Sequence, residues 1–131
     1  MRQEPNPSNE QPSSADVEVV AAWVEGYLHA WQTNDAEDIA ALFSETAEYH
    51  ETPNTTDWIG RAEIIEGWQS RWDWQQGGWE FDWRVTKARD QKAEVAGVGR
   101  YAGVGDFNNV WSITFDADNL CSSFVVVCTR R

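Results

Sequence analysis

Apolar residues recur at three- and four-residue steps between Asp16 and Thr33, where Val17, Val20, Val24, Tyr27, Leu28 and Trp31 share one stripe. That period predicts an amphipathic helix. In the segment NDAEDIAALF, Asn34 stands as an N-cap with Glu37 three residues on, ahead of apolar Ile39, Leu42 and Phe43. This variant of the capping box predicts a second, short helix. A brief strand through Tyr49 follows, then the turn-rich TPNTTDW, whose Pro53 ends any regular ladder. From Arg61 to about Gln75, Ile64, Ile65, Trp68 and Trp72 again fall on one helical face, and Gly77-Gly78 stops this third helix.

The pattern then changes to period two. In WEFDWRVT, Trp79, Phe81, Trp83 and Val85 alternate with Glu80, Asp82, Arg84 and Thr86, which predicts a half-buried strand. Three more strands are expected in KAEVAGVGRYAG, NVWSITFD and CSSFVVVCT, the last two joined by a turn at DADN. Three helices with one early strand, followed by an antiparallel meander, describe an α+β domain with the helices on one face of a curved sheet. Such a sheet leaves a cavity at its open end.

Composition adds the tail and the charge. Residues 1–14 are polar and proline-bearing, with too little apolar surface to offset ordering, and are expected to be a flexible tail before a single domain spanning residues 15–131. A net charge of −12 argues against nucleic-acid and anionic-membrane surfaces, which need concentrated Lys and Arg. No apolar run approaches the roughly 20 residues of a membrane span and the N-terminus lacks signal-peptide features, so a cytoplasmic protein is expected. Cys121 and Cys128 fall on one strand, about 23 Å apart at about 3.3 Å per residue, too far for a disulfide.

Several chemistries lack their residues. GVGRYA (97–102) fits a loose dinucleotide pattern, but no helix follows it, and its glycines are read as a bend or bulge in a strand. His50-Glu51 opens like a zinc-protease motif, but the second histidine is missing and His29 lies on a distant helix, so no metal site is expected. Two histidines and no nucleophile elbow leave a serine or cysteine triad little to draw on.

The segments GYLHAWQTNDAEDIAALFSETAEYHE, WIGRAEIIEGW and VWSITFDADNLCSSF resemble the cone-shaped nuclear transport factor 2-like fold, and within it the SnoaL-like and ketosteroid-isomerase-like proteins. The resemblance spans about residues 20–129 and implies a cystatin-like α+β barrel, cone-shaped, with three N-terminal helices packed on a strongly curved, mainly antiparallel sheet. It places Tyr27 at the oxyanion-hole tyrosine and Glu51 at the proton-shuttling carboxylate of the isomerases, a carboxylate base opposite a tyrosine donor in an apolar cavity. Trp111 stands where those enzymes keep a second, acidic oxyanion donor. It has one N–H to donate but cannot pass a proton as a carboxylic acid does, and its bulk narrows the site against steroids.

The resemblance therefore implies a cofactor-independent proton-transfer enzyme of isomerase, cyclase or dehydratase type. Its ligand would be a small, apolar cyclic molecule, with Glu51, Tyr27 and Trp111 as the catalytic set. The alternative is a non-catalytic ligand-binding or dimerisation module of the same fold. His50, Trp31, Trp68 and Trp23 are the expected pocket-lining or supporting residues. Adjacent strand residues face opposite ways, so only one of His50 and Glu51 points inward, and Glu51 is the choice. Arg100 is the arginine expected nearest the core. The nine tryptophans and the resemblance together lead to the expectation of a homodimer.

Overall fold

The computed structural model describes residues 14–52, 56–75 and 78–131. The expected tail lies almost wholly outside the described residues, as do Pro53 and Gly77. Helix α1 spans Ser14–Thr33 and α2 Ala36–Ala40, followed by strands β1 (Phe43–Thr52) and β2 (Thr56–Ile59). Helix α3 (Arg61–Gln69) and a 3-10 turn (Trp72–Gln75) lead into β3 (Trp79–Arg89), β4 (Lys92–Tyr101), β5 (Gly105–Phe115) and β6 (Cys121–Arg130).

The α1 stripe is the one the periodicity predicts: Val20, Val24, Tyr27 and Trp31 are buried, together with Trp23 and Ala30. The helix ends differently from expectation. Asn34 adopts a left-handed φ of 58° and its N–H donates to Ala30 O at 2.8 Å, so it closes α1. The N-cap of α2 is Asp35, whose Oδ1 accepts from Glu37 N at 2.8 Å and Asp38 N at 3.3 Å. Asn tolerates the left-handed region, and that sends it to the end of one helix rather than the start of the next.

The six strands form one sheet in the order β2-β1-β6-β5-β4-β3. Only β1 and β6 run parallel; the other neighbours are antiparallel. The sheet is open rather than a closed barrel, with β2 and β3 as its edges. The β5–β6 turn is the expected Asx type: Asp116 Oδ1 accepts from Asp118 N and Leu120 N, and Asn119 takes a φ of 63°.

Strand β2 falls inside the segment read as turn-rich. It pairs with β1 and tucks Trp58 against Tyr49, ring centroids 4.8 Å apart and stacked. Gly67 of α3 lets that indole approach, since a Cβ there would stand 2.2 Å from it. Helix α3 stops at Gln69, earlier than predicted, and the phase of its apolar face is lost: Trp72 ends 42% exposed. The aromatic row Trp79, Phe81 and Trp83 packs against the buried core, so it serves the concave side of the sheet and leaves the charged Glu80, Asp82 and Arg84 on the outer face. The register shift in this hairpin lies in β3, between Val85 and Lys87, and not at the β4 glycines. Cys121 and Cys128 are both free, as their spacing requires.

Candidate functional site

Strand alternation puts Ala47, Tyr49 and Glu51 of β1 on the buried side and Glu48, His50 and Thr52 on the other. Glu51 is the one buried charged side chain among the described residues, 8% exposed. A charge there needs a partner, and Arg71 supplies it. Arg71 follows the end of α3, where its N–H closes the turn onto Trp68 O at 3.0 Å. Its guanidinium forks onto the carboxylate, Nη2 to Oε1 at 2.8 Å and Nη1 to Oε2 at 3.2 Å. Nη2 also donates to Thr56 Oγ1 at 3.2 Å, and the guanidinium carbon lies 4.8 Å from the Trp58 ring centroid. Burial works against the Arg71 charge, but the hydrogen bonds and the charge of Glu51 outweigh it and raise its pKa.

This pair lies on a cavity of about 60 Å³ at the concave side of the sheet. Its polar groups are Glu51, Arg71, Asn109, Cys128 and the tyrosines Tyr27, Tyr49 and Tyr101; Trp31, Trp79, Phe81, Phe107 and Trp111 supply aromatic walls. The Tyr27 and Tyr49 hydroxyls stand 3.5 Å apart. Burial, reinforced by Tyr49, raises the Tyr27 pKa well above its usual value; burial followed by the charge of Glu51 does the same for Tyr49. Burial pushes Tyr101 up to about 12. All three therefore present hydroxyl protons at neutral pH and can donate to a ligand oxygen.

Of the expected site residues, Glu51, Tyr27, Trp31 and Trp111 come together on this cavity. Trp111 presents its ring to Tyr27, centroids 4.4 Å apart, while its N–H faces Asn109 Oδ1 at 3.4 Å. Trp68 and Trp23 do not line it. Trp68 is fully buried behind Tyr27 and Trp31, and Trp23 packs among Phe43, Phe115 and Phe124 with its N–H donated to Leu42 O at 3.0 Å. His50 is on the far face of the sheet, as alternation requires once Glu51 turns inward. Arg100 also points away from the core, paired with Asp82. Arg71, Tyr49 and Tyr101 were not singled out by the sequence. Tyr49 was available from period two, since it must share a face with Glu51.

On the outer face His50 bridges two strands: Nδ1 meets Asp57 Oδ1 at 2.6 Å and Nε2 meets Glu48 Oε1 at 2.9 Å. The hydrogen bond to Asp57, then that to Glu48, raises its pKa above the usual 6.5. The imidazolium thus stabilises the β1–β2 pair fully below the unfolded value, and this contribution disappears as pH rises through the higher folded value. Urea unfolding from about pH 6 to about pH 9 is expected to show wild type losing stability that His50→Gln never had. Parallel pH profiles for the two proteins would remove the bridge as a stabilising element.

A family model described as a SnoaL-like domain matches residues 24–120, most of the chain. The chain belongs to the SnoaL-like family. No curated protein sequence matches it. Among solved structures, this SnoaL-like domain is similar to a cystatin-like-fold protein of unknown function from Nostoc punctiforme, with 24% identity and a TM-score of 0.65 over 91% of this chain and 79% of that one. It is also similar to a candidate ketosteroid isomerase from Kribbella flavida, with 21% identity and a TM-score of 0.69 over 88% and 82%. A steroid delta-isomerase from Pseudomonas aeruginosa superimposes at 0.62, with 15% identity over 84% and 79%. These likenesses establish the fold. Among the described residues no helix is long and apolar enough to cross a membrane.

Proposed function

We propose that this SnoaL-like domain binds a small oxygen-bearing ring compound and moves a proton on it without a cofactor. The observation that carries this reading is one cavity holding a buried carboxylate, Glu51, and the paired hydroxyls of Tyr27 and Tyr49 against aromatic walls. Glu51 takes the proton from a carbon beside a carbonyl, the electron pair moves onto the carbonyl oxygen, and Tyr27 with Tyr49 donates hydrogen bonds to the resulting enolate. Glu51 then returns the proton to carbon. Its two oxygens offer about four acceptor sites, so the Arg71 fork leaves room for this exchange. Trp111 contributes an aromatic wall rather than its N–H, which faces Asn109. At about 60 Å³ the cavity suits a ligand much smaller than a steroid.

A second reading, a binding module without chemistry, is favoured by one specific observation: both Glu51 oxygens already accept from Arg71. Proton–deuterium exchange at the carbon next to the carbonyl of 2-cyclohexenone, followed by NMR, separates the two. The catalytic reading expects exchange in wild type that falls on the order of a hundredfold or more in Glu51→Gln. Exchange that persists in the variant would remove Glu51 from the role. Binding without exchange in wild type would leave the module.

A further inference from the structure

We infer that Phe81 sets the upper size of the ring compound that the cavity admits, which rests on the pocket reading above. Phe81 stands on the edge strand β3, in register with Gly99 of β4. Its ring lies almost parallel to that of Trp111, with centroids 5.0 Å apart and planes inclined by 11°. Trp111 in turn meets Tyr27 at 4.4 Å, so Tyr27, Trp111 and Phe81 form one continuous series of rings along the cavity.

What lets the Phe81 ring take this position is the bare backbone beside it. A Cβ at Gly97 would stand 2.6 Å and 2.9 Å from two of its ring carbons, closer than a side chain is tolerated, and one at Gly99 would touch the ring at 3.7 Å. The glycines of GVGRYA therefore make a berth for Phe81, and this is the role of a motif that fits neither a nucleotide loop nor a bulge. In that berth the ring is a wall of the cavity and helps hold it to about 60 Å³. Apolar cavities that admit benzene are nearer 150 Å³. A single ring can place its oxygen-bearing edge at Tyr27 and Glu51 and leave part of itself toward the open side of the cavity. A second fused ring needs the space on the face of Trp111 that Phe81 fills.

Titration calorimetry with phenol and 2-naphthol on the full chain tests this, using wild type, Phe81→Ala and, as a control, Trp83→Ala. Trp83 is on the same strand and the same face but does not line the cavity. Phe81→Ala is expected to bind 2-naphthol on the order of tenfold tighter than wild type, with phenol changed by less than about threefold, because only the second ring gains buried surface. Trp83→Ala is expected to leave the preference for phenol as in wild type. Should Phe81→Ala fail to fold by circular dichroism, Phe81→Leu is expected to give a smaller gain in the same direction. Equal binding of 2-naphthol by wild type and the Phe81 variant, or the same gain in Trp83→Ala, would overturn the size limit while phenol binding kept the pocket reading. No binding of phenol by any of the three proteins would remove the pocket reading and the inference with it.

Discussion

Arg71→Met is expected to lower the stability of the domain by about 3–5 kcal/mol, the range found when one member of a buried ion pair is removed. Glu51 would remain on the buried side of β1, 8% exposed, with both oxygens stripped of their donors. The damage should spread, because the same guanidinium holds Thr56 and lies over Trp58, the two β2 residues that reach inward. The reverse experiment is as informative. Glu51→Met together with Arg71→Met removes both charges, and replacing a whole buried pair by apolar groups is often neutral. The double variant is thus expected to recover most of the loss, a large coupling term that a double-mutant cycle of urea midpoints reads directly. A single-variant loss below about 1 kcal/mol would mean that Glu51 is rescued by solvent and that the fork contributes as little as a surface pair.

Trp68→Ala is expected to cost a similar amount, about 3–5 kcal/mol, for a different reason. Trp68 has no exposed surface and its ring meets Tyr27 at 4.6 Å, Trp31 at 5.2 Å and Phe43 at 5.9 Å. Deleting it opens a hole that three aromatic side chains from two elements border, and such rings fill a hole poorly by small movements. Trp68→Phe is the useful contrast. The indole N–H has no hydrogen-bond partner among the described residues, so phenylalanine loses volume but also removes an unsatisfied donor, and the cost is expected to stay under about 2 kcal/mol. Equal losses in the two variants, measured by chemical denaturation, would mean that the N–H is satisfied in solution.

The helices and the meander were legible because their periods are long and clean. Glu51 was legible for the same reason: on a strand, choosing its face also decides that of His50. Arg71 was hidden by the end of α3. Continuing the helix puts Trp72 on the Ile64, Trp68 stripe, but the helix stops at Gln69 and the turn brings Arg71 inward in its place. The available signal was a lone charge three residues after Trp68, close to an apolar stripe. Strand β2 was hidden by the turn formers Pro53, Asn54 and Asp57 in and beside it, although Thr and Trp favour strands, and it is held by Trp58 stacking on Tyr49 and by the His50 bridge, both tertiary contacts. Trp23 and Trp68 show the limit of reading a cavity from aromatic content: helical phase marks a side chain as inward, but not whether it meets a void or another ring.

The lone parallel ladder has a consequence for the order of events in folding. Strands β3 to β6 pair with their neighbours in the chain, whereas β1 pairs with β6 across a long interval, Tyr49 meeting Phe124 75 positions later. Closing so large a loop costs chain entropy before the contact returns anything, so the meander is expected to form first and β1 to dock last. Glu51 and Tyr49 arrive with β1. The cavity therefore has no counterpart in a half-folded chain, and a bound ligand would add its free energy to the finished fold alone, acting as a check that folding is complete.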